Sequence, residues 1–283
     1  MDSVVETKIL DPWNPLNRLI TAAEVEQILG RYGITMSIHA VEPYQRACIH
    51  KSYMKQSIHD NVILTPKPDG CMDLQVQDNN TPEFVGDSIL ATIVAAYLKM
   101  RYPDVDDEGW FTRVKIRLVN NKQLGHLAIA MGFQQYIILS KPVEDNKGRE
   151  NLRILGSMLE AWLNCIYEDF NKIDHPIFDG CYSTMGFPMV QKFFIKVLET
   201  HIDFAEIITQ NNNYKDQLLT LFHSRFHQPP RYEDIEISGP PHDRIFTVGV
   251  LDPDNEIISQ ATNRRKQDAE QEASRLAIIK LNS

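Results

Sequence analysis

Two periodicities divide the chain. Up to about residue 205 the apolar positions recur at three- and four-residue intervals, which gives a helix one buried face, and no stretch alternates convincingly with the period of two expected of strands. Helical regions are predicted over 21–33, 43–57, 83–101, 109–119, 121–131, 151–171 and 186–200. Between them lie breakers: a polar loop with Pro66, Pro68 and Gly70, and the segment 102-YPDVDDEG-109. Thr21 and Glu24 stand at capping-box spacing, and Gly33 sits where a helix commonly stops. Beyond the Asn-rich 206-EIITQNNNYK-215 the pattern becomes helix (214–226), three strands (231–238, 244–251, 255–262) and a closing helix (265–281) with the apolar stripe Ala269, Ala273, Leu276, Ala277, Leu281. The expected division is an N-terminal helical extension at 1–42, an all-α domain at 43–205, a linker at 206–213 and a small α+β module (α-β-β-β-α) at 214–283.

Composition narrows the class. The 283 residues suffice for two domains, and no apolar run is long enough to cross a bilayer, so no membrane association is expected. The opening MDSVVETKIL has neither a basic leader nor an apolar stretch, so no secretion signal is read there. Cys48, Cys71, Cys165 and Cys181 are scattered without a CxxC pair, and the nine histidines show no metal-ligand spacing. An intracellular protein, cytoplasmic or nuclear, is the expectation. The net charge of −9 opposes nucleic-acid binding on average, because phosphate contacts need Lys and Arg, but it leaves room for a local basic patch.

The chemistry begins in 81-TPEFVGDSIL-90. Glu83 and Asp87 lie one helical turn apart on a helix whose other positions (Phe84, Val85, Ile89, Leu90, Ile93, Val94) are apolar. At about 6 Å, in an effective dielectric of ~20, two full negative charges repel by roughly 3 kcal/mol. Solvation of both side chains relieves this, and so does a cation between them. Gly86 costs about 1 kcal/mol of helix propensity, which a close approach by another backbone or a partner subunit would explain. A third acid, Glu160, is embedded among Leu155, Leu159, Trp162 and Leu163 in 153-RILGSMLEAWLNCIYEDF-170, and an unpaired buried charge is expensive. Three acids from two packed helices, all oxygen ligands, point to a divalent-cation site of the kind that suits Mg²⁺.

These motifs resemble the ribonuclease III family. Asn80–Leu90 resembles its signature N-E-R-L-E-F-L-G-D-S-[VI]-L, 49-IHKSY-53 its T-H-[RK]-S-Y element, and RILGSMLEA (153–161) its second catalytic box, [KR]-I-L-A-D-x-x-E-A. Residues 102–133 resemble the stretch from P-x-x-x-E-G-x-L-T through L-V-x-N-x-x-L, and the final seventy residues a double-stranded-RNA-binding domain. The order is right over about 43–283, and the long N-terminal part is closer to the extended forms of large DNA viruses, for which the compartment would be host cytoplasm. The resemblance implies a homodimeric, Mg²⁺-dependent endoribonuclease (Mn²⁺ a possible substitute) that makes staggered cuts in double-stranded RNA, leaving 5′-phosphate and 3′-hydroxyl ends. It implies that Glu83, Asp87 and Glu160 are the catalytic metal ligands. Glu108 would be an accessory acid, Phe84 an aromatic plug into the partner subunit, and Gly86 the residue permitting that approach. Lys215, Thr220, His242, Arg264, Arg265 and Lys266 would contact RNA.

The sequence departs from the family pattern at Ser157, where the pattern has Asp, and at Asn80, where it has a more peripheral Glu. Ser157 predicts weaker metal affinity with residual cleavage. Two other readings follow from the same residues. One is a catalytically weakened or silent RNA-binding scaffold, favoured by Ser157. The other is a helical protein-interaction domain without RNA, favoured by the charge of −9. His50 is expected to be packed and hydrogen-bonded rather than catalytic.

Overall fold

The computed structural model describes residues 8–55, 62–171, 185–209, 214–240 and 244–282. The chain forms two compact units, residues 1–207 and 208–283, each with its own apolar core.

Among the described residues the α-helices of the first unit are α1 (Ala22–Arg31), α2 (Glu42–Ala47), α3 (Asn80–Arg101), α4 (Glu108–Val119), α5 (Asn121–Ala130), α6 (Lys141–Asp145), α7 (Leu152–Phe170) and α8 (Gly186–His201), with α9 (Phe204–Thr209) beginning at its end. The architecture is organised around α7. Thirteen of its nineteen residues are buried, so it is a central helix enclosed on all sides rather than an amphipathic surface one. Its start is fixed by Asn151, whose side chain accepts hydrogen bonds from the backbone N–H groups of Arg153 and Ile154. The long helix α3 lies against it through Ile89, Leu90, Ile93, Val94, Tyr97 and Leu98. In the first turn of α3, Glu83 sits where the positive end of the helix dipole favours a carboxylate.

Two local expectations change. The region 43–57 is α-helical only over α2. The chain then turns to pair with a distant segment, with His50 N–H donating to Ile138 O at 3.1 Å and Ile138 N–H to Cys48 O at 2.8 Å. Those hydrogen bonds replace the helical ones, and Lys51–Tyr53 forms one 3₁₀ turn. The otherwise helical unit also holds two three-residue strands, β1 (Lys8–Leu10) and β2 (Val62–Leu64), paired in parallel. Strands this short carry no readable alternation. Trp13 pins them by donating its indole N–H to Thr65 O at 2.7 Å. Cys48, Cys71 and Cys165 are buried free thiols, while Cys181 lies outside the described residues.

Asp169, near the end of α7, is fully buried and ties down the segment before α2. It accepts hydrogen bonds from the backbone N–H groups of His39 and Ala40 at 3.1 Å and from the Tyr44 hydroxyl at 3.4 Å. Asp169→Ala strands these donors, and a cost of about 2–4 kcal/mol is expected. Urea unfolding followed by tryptophan fluorescence measures it in this unit alone, because Trp13, Trp110 and Trp162 all lie there.

The second unit is helix, three strands, helix: α10 (Tyr214–Phe226), β3 (Arg231–Ser238), β4 (Ile245–Leu251), β5 (Ile257–Asn263) and α11 (Lys266–Asn282). The antiparallel sheet runs β3-β4-β5. Both helices bury their apolar stripes in one core, Leu218 and Phe222 from α10 and Ala273 and Ala277 from α11, with Val250 and Ala261 from the sheet. The small side chains of α11 let its backbone lie close to the strands. Of the segment expected as linker, residues 206–209 extend α9 and 210–213 lie outside the described residues. Among the described residues no helix is long and apolar enough to cross a membrane.

Candidate active site and nucleic-acid interface

The site is made by the crossing of α3 over α7. At Gly86 the two backbones nearly touch: a Cβ built there would stand 1.8 Å from the carbonyl oxygen of Glu160. The close partner that explains this glycine is therefore the backbone of Glu160 in the same chain. The crossing brings Glu83 and Asp87, on either side of Gly86, to the position where α7 presents Glu160. All three acids line one cavity of about 480 Å³, together with Asn80, Phe84 and Asn121.

The environments of the three differ. Glu160 is 5% exposed. Burial pushes its carboxyl up to about 8, and the charges of Asp87 and Glu83 push the same way. Asp87 is exposed and open to solvent. Glu83 is half-buried, and its Oε1 accepts a hydrogen bond from the Ser157 hydroxyl at 2.7 Å. Among the described residues no group of three or more acidic, histidine or cysteine side chains stands close enough together to hold a metal ion as the side chains now lie. Three carboxylates lining one cavity, all oxygen donors, one of them open to water and one buried beside the charges of the other two, are nevertheless by chemistry a donor set suited to a hydrated divalent cation. Mg²⁺ keeps several waters and needs only one or two direct carboxylates. The residues fit the ion by their chemistry.

The other singled-out residues fall in different places. Asn80 is exposed at the rim, its amide donating to Asp78 at 2.9 Å. Phe84, expected on the apolar face of α3, is 75% exposed beside the acidic cavity. It occupies the helix position between Glu83 and Val85 that turns away from α7. Glu108 is not brought to the three acids within this chain. It lines a separate cavity with Lys99 and Phe111, and its carboxylate accepts from the Thr112 hydroxyl at 3.0 Å. Sequence reasoning did not single out Asn121, at the start of α5, which borders the acidic cavity. Its signal was weak, an Asn among several.

In the second unit Arg264, Arg265 and Lys266 are exposed at the start of α11. Lys266 is paired with Asp234 at 2.7 Å, a hydrogen bond that raises its pKa. Lys215 is paired with Glu270 at 2.7 Å and lies over the Tyr232 ring. Both lysines are thus held by acids of their own unit. The Lys266 pair is exposed and contributes little net stability, so a phosphate oxygen can replace its carboxylate, whereas the Lys215 pair is partly buried. Thr220 is exposed, with its hydroxyl turned back to Asp216 O at 2.9 Å. His242 lies outside the described residues.

Comparison with known proteins bears on both units. A family model described as ribonuclease-III-like matches residues 42–174, and one described as double-stranded RNA binding motif matches residues 214–281. A probable ribonuclease 3 of Acanthamoeba polyphaga mimivirus is 27% identical over 274 residues, 96% of this chain. The chain spans about half that relative's length, 48%. Ribonuclease 3 of Syntrophobacter fumaroxidans is 27% identical, with 90% of this chain and 92% of the relative covered. Ribonuclease 3 of Streptococcus thermophilus is 30% identical, with 74% of this chain and 84% of the relative covered.

Proposed function

Since the chain belongs to the ribonuclease III family, we propose that it hydrolyses phosphodiester bonds in double-stranded RNA, leaving 5′-phosphate and 3′-hydroxyl ends on staggered strands. The observation that carries this reading is the convergence of Glu83, Asp87 and Glu160 in one cavity at the α3–α7 crossing. The RNA-binding motif of the second unit supplies the substrate class.

Glu83, Asp87 and Glu160 are the residues that would hold a divalent cation, Mg²⁺ or Mn²⁺. Such an ion supplies Lewis acidity, lowers the pKa of water and offsets charge on the phosphate. The protein's own contribution is to fix the donors. Gly86 sets the distance between the two helices. The Ser157 hydroxyl restrains Glu83, and burial restrains Glu160. Asp87, exposed, faces the side from which water and RNA arrive. The exposed Phe84, on the same helix and beside the same cavity, supports a homodimer in which a second copy covers it.

Ser157 gives a second reading its specific support. A neutral hydroxyl stands in contact with Glu83 where the family pattern has a fourth carboxylate, which suits a duplex-binding scaffold of little or no activity. A gel shift with a long RNA duplex in Ca²⁺, followed by addition of Mg²⁺, separates the two. Shift and then cleavage are expected; shift without cleavage in either Mg²⁺ or Mn²⁺ leaves only the scaffold. Ser157→Asp is expected to lower the Mg²⁺ concentration for half-maximal cleavage about 10-fold, equivalent to ~1.4 kcal/mol of added metal affinity. Two proteins equally inactive over a full metal titration would refute the role given to Ser157.

A further inference from the structure

A second cavity of about 400 Å³ adjoins the acidic one and shares Glu83 and Asn80 with it. Its chemistry is opposite. Besides the shared residues its lining includes His50, Lys51, Arg153 and Ser157. Lys51 and Arg153 are exposed and bring two positive charges. They lie about a hundred positions apart in sequence, and the fold joins them because Lys51 opens the 3₁₀ turn after α2 while Arg153 lies in the first turn of α7.

The imidazole of His50 is fixed in one tautomer. The backbone N–H of Ser52 donates to its Nδ1 at 3.2 Å, and a backbone N–H can only donate, so Nδ1 carries a lone pair. The Ser52 hydroxyl lies 2.9 Å from the same nitrogen and is itself held by the N–H of Ser140 at 3.1 Å. The neutral ring therefore carries its hydrogen on Nε2. Burial, with Lys51 acting in the same direction, holds the imidazole below its ordinary pKa, which keeps it in this neutral, N–H-donating form near pH 7. Ser157 lines this lobe and contacts Glu83, which the two lobes share. As a neutral residue donating to Glu83, it adds no negative charge to the second lobe, which an Asp at that position would do.

We propose that this basic lobe binds a backbone phosphate of the RNA strand being cut, next to the phosphate presented to the acidic lobe, with Lys51 and Arg153 as its counter-charges and His50 as a neutral N–H donor. The pair of lobes then reads as a register device. One phosphate is held by cationic side chains while its neighbour is held over the carboxylates, and the sugar–phosphate chain between them fixes which bond is placed for hydrolysis. This rests on the acidic lobe being the hydrolytic centre, but the anion site can be tested apart from hydrolysis.

The test uses the full chain and a perfect RNA duplex, comparing wild type with Lys51→Ala/Arg153→Ala. Both positions are exposed, and an unchanged melting temperature verifies folding. In Ca²⁺, log K is measured against log salt. One phosphate lost from the footprint lowers the magnitude of the slope by about 0.7–0.9. The expected result is a slope smaller by about that amount and an affinity weaker by several-fold at low salt. In Mg²⁺, kcat should fall and the cut should spread over neighbouring bonds. A duplex with a single neutral methylphosphonate beside the cut site should be bound more weakly by wild type and equally by the double variant. Identical slopes for the two proteins, or an equal methylphosphonate penalty in both, overturns the proposal. If wild type binds duplex with the expected slope difference but never cleaves, the hydrolytic reading fails and the phosphate site stands. If wild type binds no duplex, both fail.

Discussion

Gly86→Ala is expected to destabilise the first unit by about 3 kcal/mol and to reduce cleavage about 100-fold or more. The added methyl carbon would lie 1.8 Å from Glu160 O and 2.6 Å from Glu160 C, both backbone atoms, so no side chain can rotate away. Helix α3 must move by an ångström or more relative to α7, and in moving it carries Glu83 and Asp87 away from Glu160. Stability and chemistry are thereby coupled through one atom. Tryptophan fluorescence during urea unfolding reads the first effect, and single-turnover cleavage of a duplex reads the second. Gly30→Ala is the control. Gly30 lies in α1 with nothing within 4 Å of the added carbon, so it should gain helix propensity of up to about 1 kcal/mol and leave cleavage unchanged. Duplex binding in Ca²⁺ should fall by no more than several-fold for Gly86→Ala, because the RNA-binding motif lies in the other unit. Wild-type stability in that variant would show that the helices do not meet as described.

The same residue shows how far the sequence could be read. That Gly86 needed a close neighbour was legible, because a glycine between two acids in an apolar helix costs propensity without an evident local return. That the neighbour is the carbonyl of Glu160 was not, since a backbone approach leaves no side-chain pattern. The three acids were legible for a related reason. Spacing places Glu83 and Asp87 on one helix face, and an acid among Leu159, Trp162 and Leu163 calls for a partner. Phe84 shows the limit of periodicity. Its position fits an apolar stripe, but it lies where α3 turns away from α7, and only the packing shows it 75% exposed. The helix expected through residue 57 ends ten residues early because Cys48 and His50 bond to Ile138, a competition local propensity does not contain. The basic lobe was invisible for a similar reason. His50 and Lys51 belong to one element and Arg153 to another, about a hundred positions on, and no spacing in the sequence joins them.

Glu160→Gln is expected to abolish cleavage, by at least about 1,000-fold or ~4 kcal/mol of transition-state stabilisation, while duplex affinity in Ca²⁺ stays within about 2-fold of wild type. Glutamine has the same shape but cannot bring a negative charge to an ion. In chelator the same variant should melt higher, by about 2–4 °C if roughly 1 kcal/mol of repulsion and burial cost is removed. The direction follows from the surroundings: Glu160 is 5% exposed and faces the charges of Asp87 and Glu83, and both effects disfavour its ionised form. A buried side chain kept for packing would behave the other way, losing stability on substitution and leaving the chemistry of bound substrate intact. Melting temperature in chelator, cleavage rate in Mg²⁺ and duplex affinity in Ca²⁺, measured on one preparation, distinguish the two. A fall in melting temperature with cleavage retained would mean that Glu160 serves the fold, and the three acids would then have no common task at the crossing of α3 and α7.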